Sequence, residues 1–202
     1  IDACDSDIDG DGIANECDVS PGMENPLVAC CLEDGTCFEV IDNGCTILGG
    51  FIQSSSIDCS ASDCPNAFEA DWTVDDDFAQ RPDADFNSIQ DAVDAAQSGD
   101  TIVVYPGTYG SSTADMAIDI TDKDLKLYGF GGKGAVLVDG QGTQGFLRCV
   151  GEVTRSTIVQ GFTFTGGNES VFLVHLFGES ASPVIRDCNF VSTSSEQTIR
   201  SG

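Results

Sequence analysis

Two stretches of this chain, Ile158–Phe164 (IVQGFTF) and Val184–Phe190 (VIRDCNF), follow one template at an offset of 26 residues. An offset inside the range of about 20–50 residues lets one unit stack on the next and share a core, as the coils of a solenoid do. Short apolar runs separated by Gly, Asn or Asp turns recur at Leu125–Phe130, Ala135–Asp139, Phe146–Val150, Thr157–Phe164, Val171–Phe177 and Pro183–Val191. Ahead of them, Ile89, Ala92, Val93 and Ala96 fall on one helical face. Asn87 or Ser88 can cap that helix, Gln90 or Asp91 can reach back to the cap, and Gly99 supplies a stop. Thr101–Tyr105 then reads as a strand and Pro106-Gly107 as a turn. A two-sheet sandwich is the rival arrangement, but one helix followed by glycine-punctuated strands favours the solenoid. The expected fold is mainly β: a parallel β-helix over residues 71–202 with an N-terminal cap helix. The 131 residues from Trp72 to Gly202 allow roughly five coils of ~25 residues.

Charge divides the chain. Residues 1–100 hold 24 acids and one base, Arg81, a net of −23, whereas residues 101–202 hold 10 acids and 7 bases, a net of −3. Cysteine divides the same way: eight lie between Cys4 and Cys64, and only Cys149 and Cys188 follow. Three modules are expected, at 1–22, 23–70 and 71–202, with Asp75-Asp76-Asp77 near the last boundary. A net charge of −26 repels phosphates and excludes generic nucleic-acid binding, while favouring cations. No run of about 18 apolar residues occurs, so no membrane span is expected. A start at Ile1 without a signal peptide reads as a mature or cut piece of a secreted precursor.

The first module reads as a calcium loop. In DIDGDGIANECD, side-chain oxygens fall at positions 1, 3, 5, 9 and 12: Asp7, Asp9, Asp11, Asn15 and Asp18. Ile13 would donate its carbonyl, and Gly12 sits where the chain must turn sharply. A hard cation needs six or more oxygens, and alternate residues of a tight loop converge on one point. A solvated acidic run is the plain alternative; the match at every ligand position favours Ca2+.

The second module reads as a disulfide knot. Cys30, Cys31, Cys37, Cys45, Cys59 and Cys64 lie in a stretch too poor in apolar residues to hold without staples. A zinc ribbon fits poorly, because CxxC pairs are missing and the one histidine is the distant His175. Cys4 and Cys17 would tie the ends of the calcium loop. The pairing of the eight is open, and so is whether Cys149 and Cys188 are bridged or free. Disulfides place the protein outside the cell, secreted or at the cell surface.

The calcium segment resembles thrombospondin type 3 repeats and dockerin-type loops, over roughly residues 4–18. Its closing Asp18, in place of a bidentate Glu, favours the thrombospondin-like form. The pattern ACCLEDGTC…GG…C…CP is similar to a short Cys-rich module of large secreted planctomycete-type proteins. Residues 86–192 resemble pectin-lyase-like right-handed β-helix proteins, on SIQDAVDAAQSGDTIVVYPGTY, TIVQGFTFTGG and SPVIRDCNF. That resemblance implies fold far more than function, because the fold hosts lyases, esterases, hydrolases, adhesins and inert scaffolds.

The enzymes of that group need placed acids, bases or calcium on one face of the coils. The NTD, DD and HG signatures of polygalacturonase-like members are missing from residues 86–192. His175, between Val174 and Leu176, reads as structural. Asp139, Gln141 and Gln160 match pectinesterase-like requirements by type but lack the local motifs. Arg148, Arg155 and Arg186 match pectate-lyase-like requirements by type only. Trp72, Tyr105, Tyr109 and Tyr128 could face a polysaccharide, although packing explains them as well. No catalytic residue is assigned. The expectation is a secreted structural protein: a calcium- and disulfide-stabilised subunit of an extracellular filament, appendage or surface layer that binds copies of itself. The alternatives are a carbohydrate-active enzyme and a glycan-binding adhesin. Asn168-Glu169-Ser170 is a glycosylation sequon.

Overall fold

The structure is a computed structural model that describes residues 27–41, 44–45, 50–52, 59, 64, 66–110, 116–131, 134–142, 145–167, 174–178 and 181–191. The calcium-loop residues Asp7, Asp9, Asp11, Ile13, Asn15 and Asp18, with Cys4, Cys17 and the sequon, lie outside the described residues.

The front of the described chain is a small antiparallel sheet. Strands β1 (Leu27–Cys31), β2 (Cys37–Ile41) and β3 (Phe51–Ile52) lie in the order β2-β1-β3. Disulfides Cys30–Cys45, Cys31–Cys64 and Cys37–Cys59 staple it, with Cα atoms 5.4, 5.4 and 5.6 Å apart. They close loops of 15, 33 and 22 residues, which removes unfolded-chain entropy that so small a sheet could not offset by burial alone.

From Trp72 the chain winds as a three-sided parallel β-solenoid of about four turns. One side is β14-β11-β8-β5-β4, built from β4 (Trp72–Val74), β5 (Thr101–Val104), β8 (Lys126–Gly129), β11 (Ile158–Gln160) and β14 (Val184–Arg186). The second is β15-β12-β9-β6, from β6 (Gly107–Tyr109), β9 (Val136–Asp139), β12 (Phe162–Thr165) and β15 (Asn189–Phe190). The third is β13-β10-β7, from β7 (Met116–Thr121), β10 (Gly145–Val150) and β13 (Val174–Phe177). Helix α1 (Ile89–Ala95) precedes β5 and packs on β7, β4 and β5. The strand count gives four turns rather than the five expected. Coils exceed 25 residues where they must carry a helix or a long turn: Trp72 pairs with Ile102, and Lys126 with Ile158.

Inward residues stack in register from turn to turn. Trp72, Ile102, Leu127, Val159 and Ile185 form one column, and Tyr109, Val138, Phe164 and Phe190 another. Ile120, Cys149 and Leu176 line the third side. Ile102, Leu127, Phe162 and Phe164 are sealed from water, and each contributes about 1.5–3 kcal/mol relative to an exposed position. Phe164 stacks on Phe190 with ring centroids 4.9 Å apart.

The turns explain part of the acidity. Asp71 accepts from the Thr101 amide at 2.8 Å, and Asp76 accepts from the Thr108 amide at 2.9 Å. Asp122 accepts from the Glu152 amide at 3.1 Å, and Asp124 from the Thr154 amide at 2.6 Å. In each case a carboxylate of one coil satisfies a backbone donor of the next, about 30 residues on. Such charge-assisted bonds are stronger than neutral ones and hold coil to coil where strand pairing stops.

Candidate functional site

The first and last described turns of the solenoid are built differently. At the head, each first strand meets a polar group of the chain itself. Beside β4, the Thr73 amide donates to the Asp85 carboxylate at 2.9 Å, and the Thr73 carbonyl accepts from the amides of Asp85 and Phe86. Beside β6, Asp76 takes the Thr108 amide, and its own amide donates to the Tyr109 hydroxyl at 3.1 Å. Beside β7, the Gln90 side-chain amide faces the main chain of Asp119. Its nitrogen donates to the Asp119 carbonyl at 3.1 Å, and its oxygen accepts from the Asp119 amide at 2.8 Å. Ser88 caps α1 by accepting from the Asp91 amide, and Lys123 donates to the helix's C-terminal carbonyls at Val93 and Ala96. One residue of each edge strand at this end is thereby hydrogen-bonded by the chain itself, which blunts the edge as a template for strand addition.

The tail differs. β13, β14 and β15 end the three sheets among the described residues. Their apolar side chains open to solvent: Phe177 is 64% exposed, Leu176 46%, Phe190 41% and Val191 40%. Leu176 and Phe190 belong to the inward columns that are sealed in the turns below. These four side chains are the apolar part of the last described turn.

The Cys-rich sheet is fixed to the outer side of the solenoid. Glu33 accepts from the Tyr105 hydroxyl at 2.8 Å and pairs with Arg81 at 3.2 Å. Ala67 packs over Val103, Tyr105 and Tyr128, with Phe130 and Ile158 alongside. Tyr105, Tyr109 and Tyr128 are therefore buried in packing and are not available to a glycan. Trp72 is held the same way, donating to Asp100 at 2.9 Å and packing at a tilt on Phe86.

The other residues weighed from sequence separate into two groups. Asp139 lies on the second side and accepts from the Gln141 amide, whereas Gln160 lies on the first side and accepts from Arg186 at 2.6 Å, so the structure does not bring these together. On the third side, Asp119, Arg148 and His175 fall in one register column, and Arg148 donates to Asp119. His175 thus belongs to the outer face, beside Phe177 at 5.9 Å, rather than to the inward stack of Val174 and Leu176. Sequence reasoning missed this column because the strand at Met116–Thr121 was not recognised. Asp75, Asp76 and Asp77 bring their carboxylates within 4.8 Å of one another. Asp75 accepts from the Arg81 amide and Asp77 from the Ala79 amide, so both serve the turn they stand in.

Both cysteines of the solenoid are free thiols. Burial pushes Cys149 up to about 12, helped by the nearby charge of Asp119. Burial likewise pushes Cys188 up to about 11. Neither is a nucleophile near neutrality.

No protein-family model matches this chain, and no curated protein or solved structure matches it either. No helix among the described residues is long and apolar enough to cross a membrane.

Proposed function

We propose that this chain is a secreted structural subunit that assembles with copies of itself outside the cell, stabilised by disulfides and by Ca2+ in the Asp7–Asp18 loop. The observation that carries this reading is the unlike pair of ends. One residue of each head-side edge strand is hydrogen-bonded by the chain itself, whereas the last described turn leaves Leu176, Phe190 and Val191, with Phe177 on its outer face, open to a partner. The three disulfides support an oxidising compartment. The loop chemistry supports a hard cation held by Asp7, Asp9, Asp11, Asn15, Asp18 and the Ile13 carbonyl. Electron microscopy of native material before and after chelation tests it. Ordered assemblies that loosen on chelation are expected; isolated particles indifferent to calcium overturn it.

The Asp119–Arg148–His175 column favours a second reading, a face that engages an acidic polysaccharide. Retention of the protein on immobilised pectate, lost in Arg148→Ala, supports it. Failure to be retained at low salt removes it.

A further inference from the structure

We propose that the Cys-rich sheet carries a thiol-triggered disulfide switch, in which Cys37 exchanges Cys59 for Cys31 and so cuts the bridge from β1 to Cys64. The switch stands whether or not the chain assembles with itself. Cys31 and Cys37 lie directly opposite each other on β1 and β2. Opposite residues of an antiparallel pair share a face, with Cα atoms about 4.5–5.5 Å apart. A disulfide spans about 4.4–6.8 Å between Cα atoms, so a bond between these two needs no movement of either strand. Each is bonded elsewhere instead, Cys31 to Cys64 and Cys37 to Cys59. The sulfurs of Cys31, Cys37 and Cys64 nevertheless all lie within 4.8 Å of one another. A thiolate released at Cys37 therefore has a second disulfide within reach.

Burial sets the point of entry. Cys30, Cys31 and Cys45 are sealed from water, whereas Cys37 and Cys59 are both half-buried. Of the three bridges, Cys37–Cys59 is the one with both residues open to a small thiol. The thiolate attacks the Cys59 sulfur, forms a mixed disulfide there and leaves the electron pair on Cys37. Cys37 attacks the Cys31 sulfur, forms Cys31–Cys37 and expels Cys64 as a thiolate. Cys64 attacks the Cys59 sulfur, forms Cys59–Cys64 and returns the small thiol. Two disulfides break and two form, so the thiol is a catalyst and nothing is oxidised or reduced overall.

The exchange loosens the module. The resting bridges close loops of 33 and 22 residues, and the exchanged ones span 6 and 5. Shorter loops constrain the unfolded chain less. Cys31–Cys64 also fastens β1 to the segment that lies on the solenoid. There Asp34 bridges to Asn66, and the Ala67 amide donates to the Glu33 carbonyl at 2.9 Å. After exchange the hairpin keeps these contacts, and those of Glu33 with Tyr105 and Arg81, without the covalent bridge beside them.

Cys59→Ser isolates the middle step, because it leaves Cys37 as the thiol. Brief alkylation of the folded full-length variant, read by peptide mass spectrometry, should divide the label between Cys37 and Cys64. Label on Cys37 with none on Cys64 overturns the inference. In the parent chain, a catalytic amount of cysteamine should produce the Cys59–Cys64 bridge with the total thiol content unchanged. Its absence overturns the inference even if the variant does not fold. The loosening is read by amide exchange at Ala67. It should be at least about tenfold faster in Cys59→Ser/Cys64→Ser, which leaves Cys31 to Cys37, than in Cys37→Ser/Cys59→Ser, which keeps Cys31–Cys64. Equal exchange shows that the new bond releases nothing and overturns the switch.

Discussion

Gln90 pairs with the main chain of Asp119 as a strand residue would, through one donated and one accepted hydrogen bond, although it stands on a helix. The primary amide copies the donor–acceptor spacing of a peptide group, so α1 ends the third sheet without adding a strand to it. Gln90→Leu keeps the size of the side chain and leaves both Asp119 groups without their partner. Thermal unfolding should show a loss of about 1–3 kcal/mol. Gln90→Glu should rescue only the bond from the Asp119 amide and lose the one to its carbonyl.

Much of this architecture is legible in the sequence, and the illegible part has a specific cause. The offset between Ile158–Phe164 and Val184–Phe190 is the observed register, with Ile158 beside Val184 and Phe164 beside Phe190. The Ser88 cap and the apolar face of α1 were equally readable, because capping and helical periodicity are local. Thr157–Phe164 looked like one strand and is two, on different sides of the solenoid, bent at Gly161 with φ +83°. Nothing local distinguishes that bend from a glycine within a strand; the coil above and below requires it. β7 escaped because MAIDIT lacks a flanking glycine turn. The net charge suggested cation partners, yet Asp71 and Asp76 of the acidic front serve amides of the next coil, a pairing invisible without the register.

Gly161 is where a single methyl should do most damage. A Cβ there would lie 2.5 Å from the carbonyl oxygen of Gly129, in a left-handed backbone. Backbone cannot yield as a side chain tip can, so Gly161→Ala should cost about 3–5 kcal/mol. Gly99, with φ +102° and open space around it, is the control, and its alanine variant should cost about 1–2 kcal/mol. Urea titrations of the two variants compare strain with collision.

Alkaline pH should unfold the protein by a definable route. Desolvation pushes buried Cys149 up to about 12 and partly buried Cys188 up to about 11, above the ordinary 9.0, and raises Tyr105 and Tyr109 from 10.0 as well. The unfolded chain releases these protons first. The stability they give is full below pH 9 and is lost as pH rises through the folded values. Iodoacetamide at pH 8 should spare Cys149 in the native protein, label Cys188 slowly and label both in denaturant, as read by mass spectrometry.

Acid acts at Asp124. Desolvation pulls its carboxyl up, but hydrogen bonds from the Thr154 side chain and amide and from Thr157 outweigh that and hold it below 3.8. A depressed carboxyl stabilises above its ordinary value and ceases to do so as pH falls through the folded one. Asp124→Ala should lower stability by about 1–3 kcal/mol at pH 7. The gap from the parent should shrink below pH 3.8, measured by calorimetry across pH.

The braced first turn gives the molecule a direction in which it comes apart. Among the described residues each turn packs chiefly on its neighbours, the first is clamped by α1 and by the stapled sheet through Glu33, and the last rests on the turn before it. Amide exchange in the isolated chain should therefore recede as a front, reaching Val184 before Ile158 and Ile158 before Lys126, with Ile102 the last of that column to be lost.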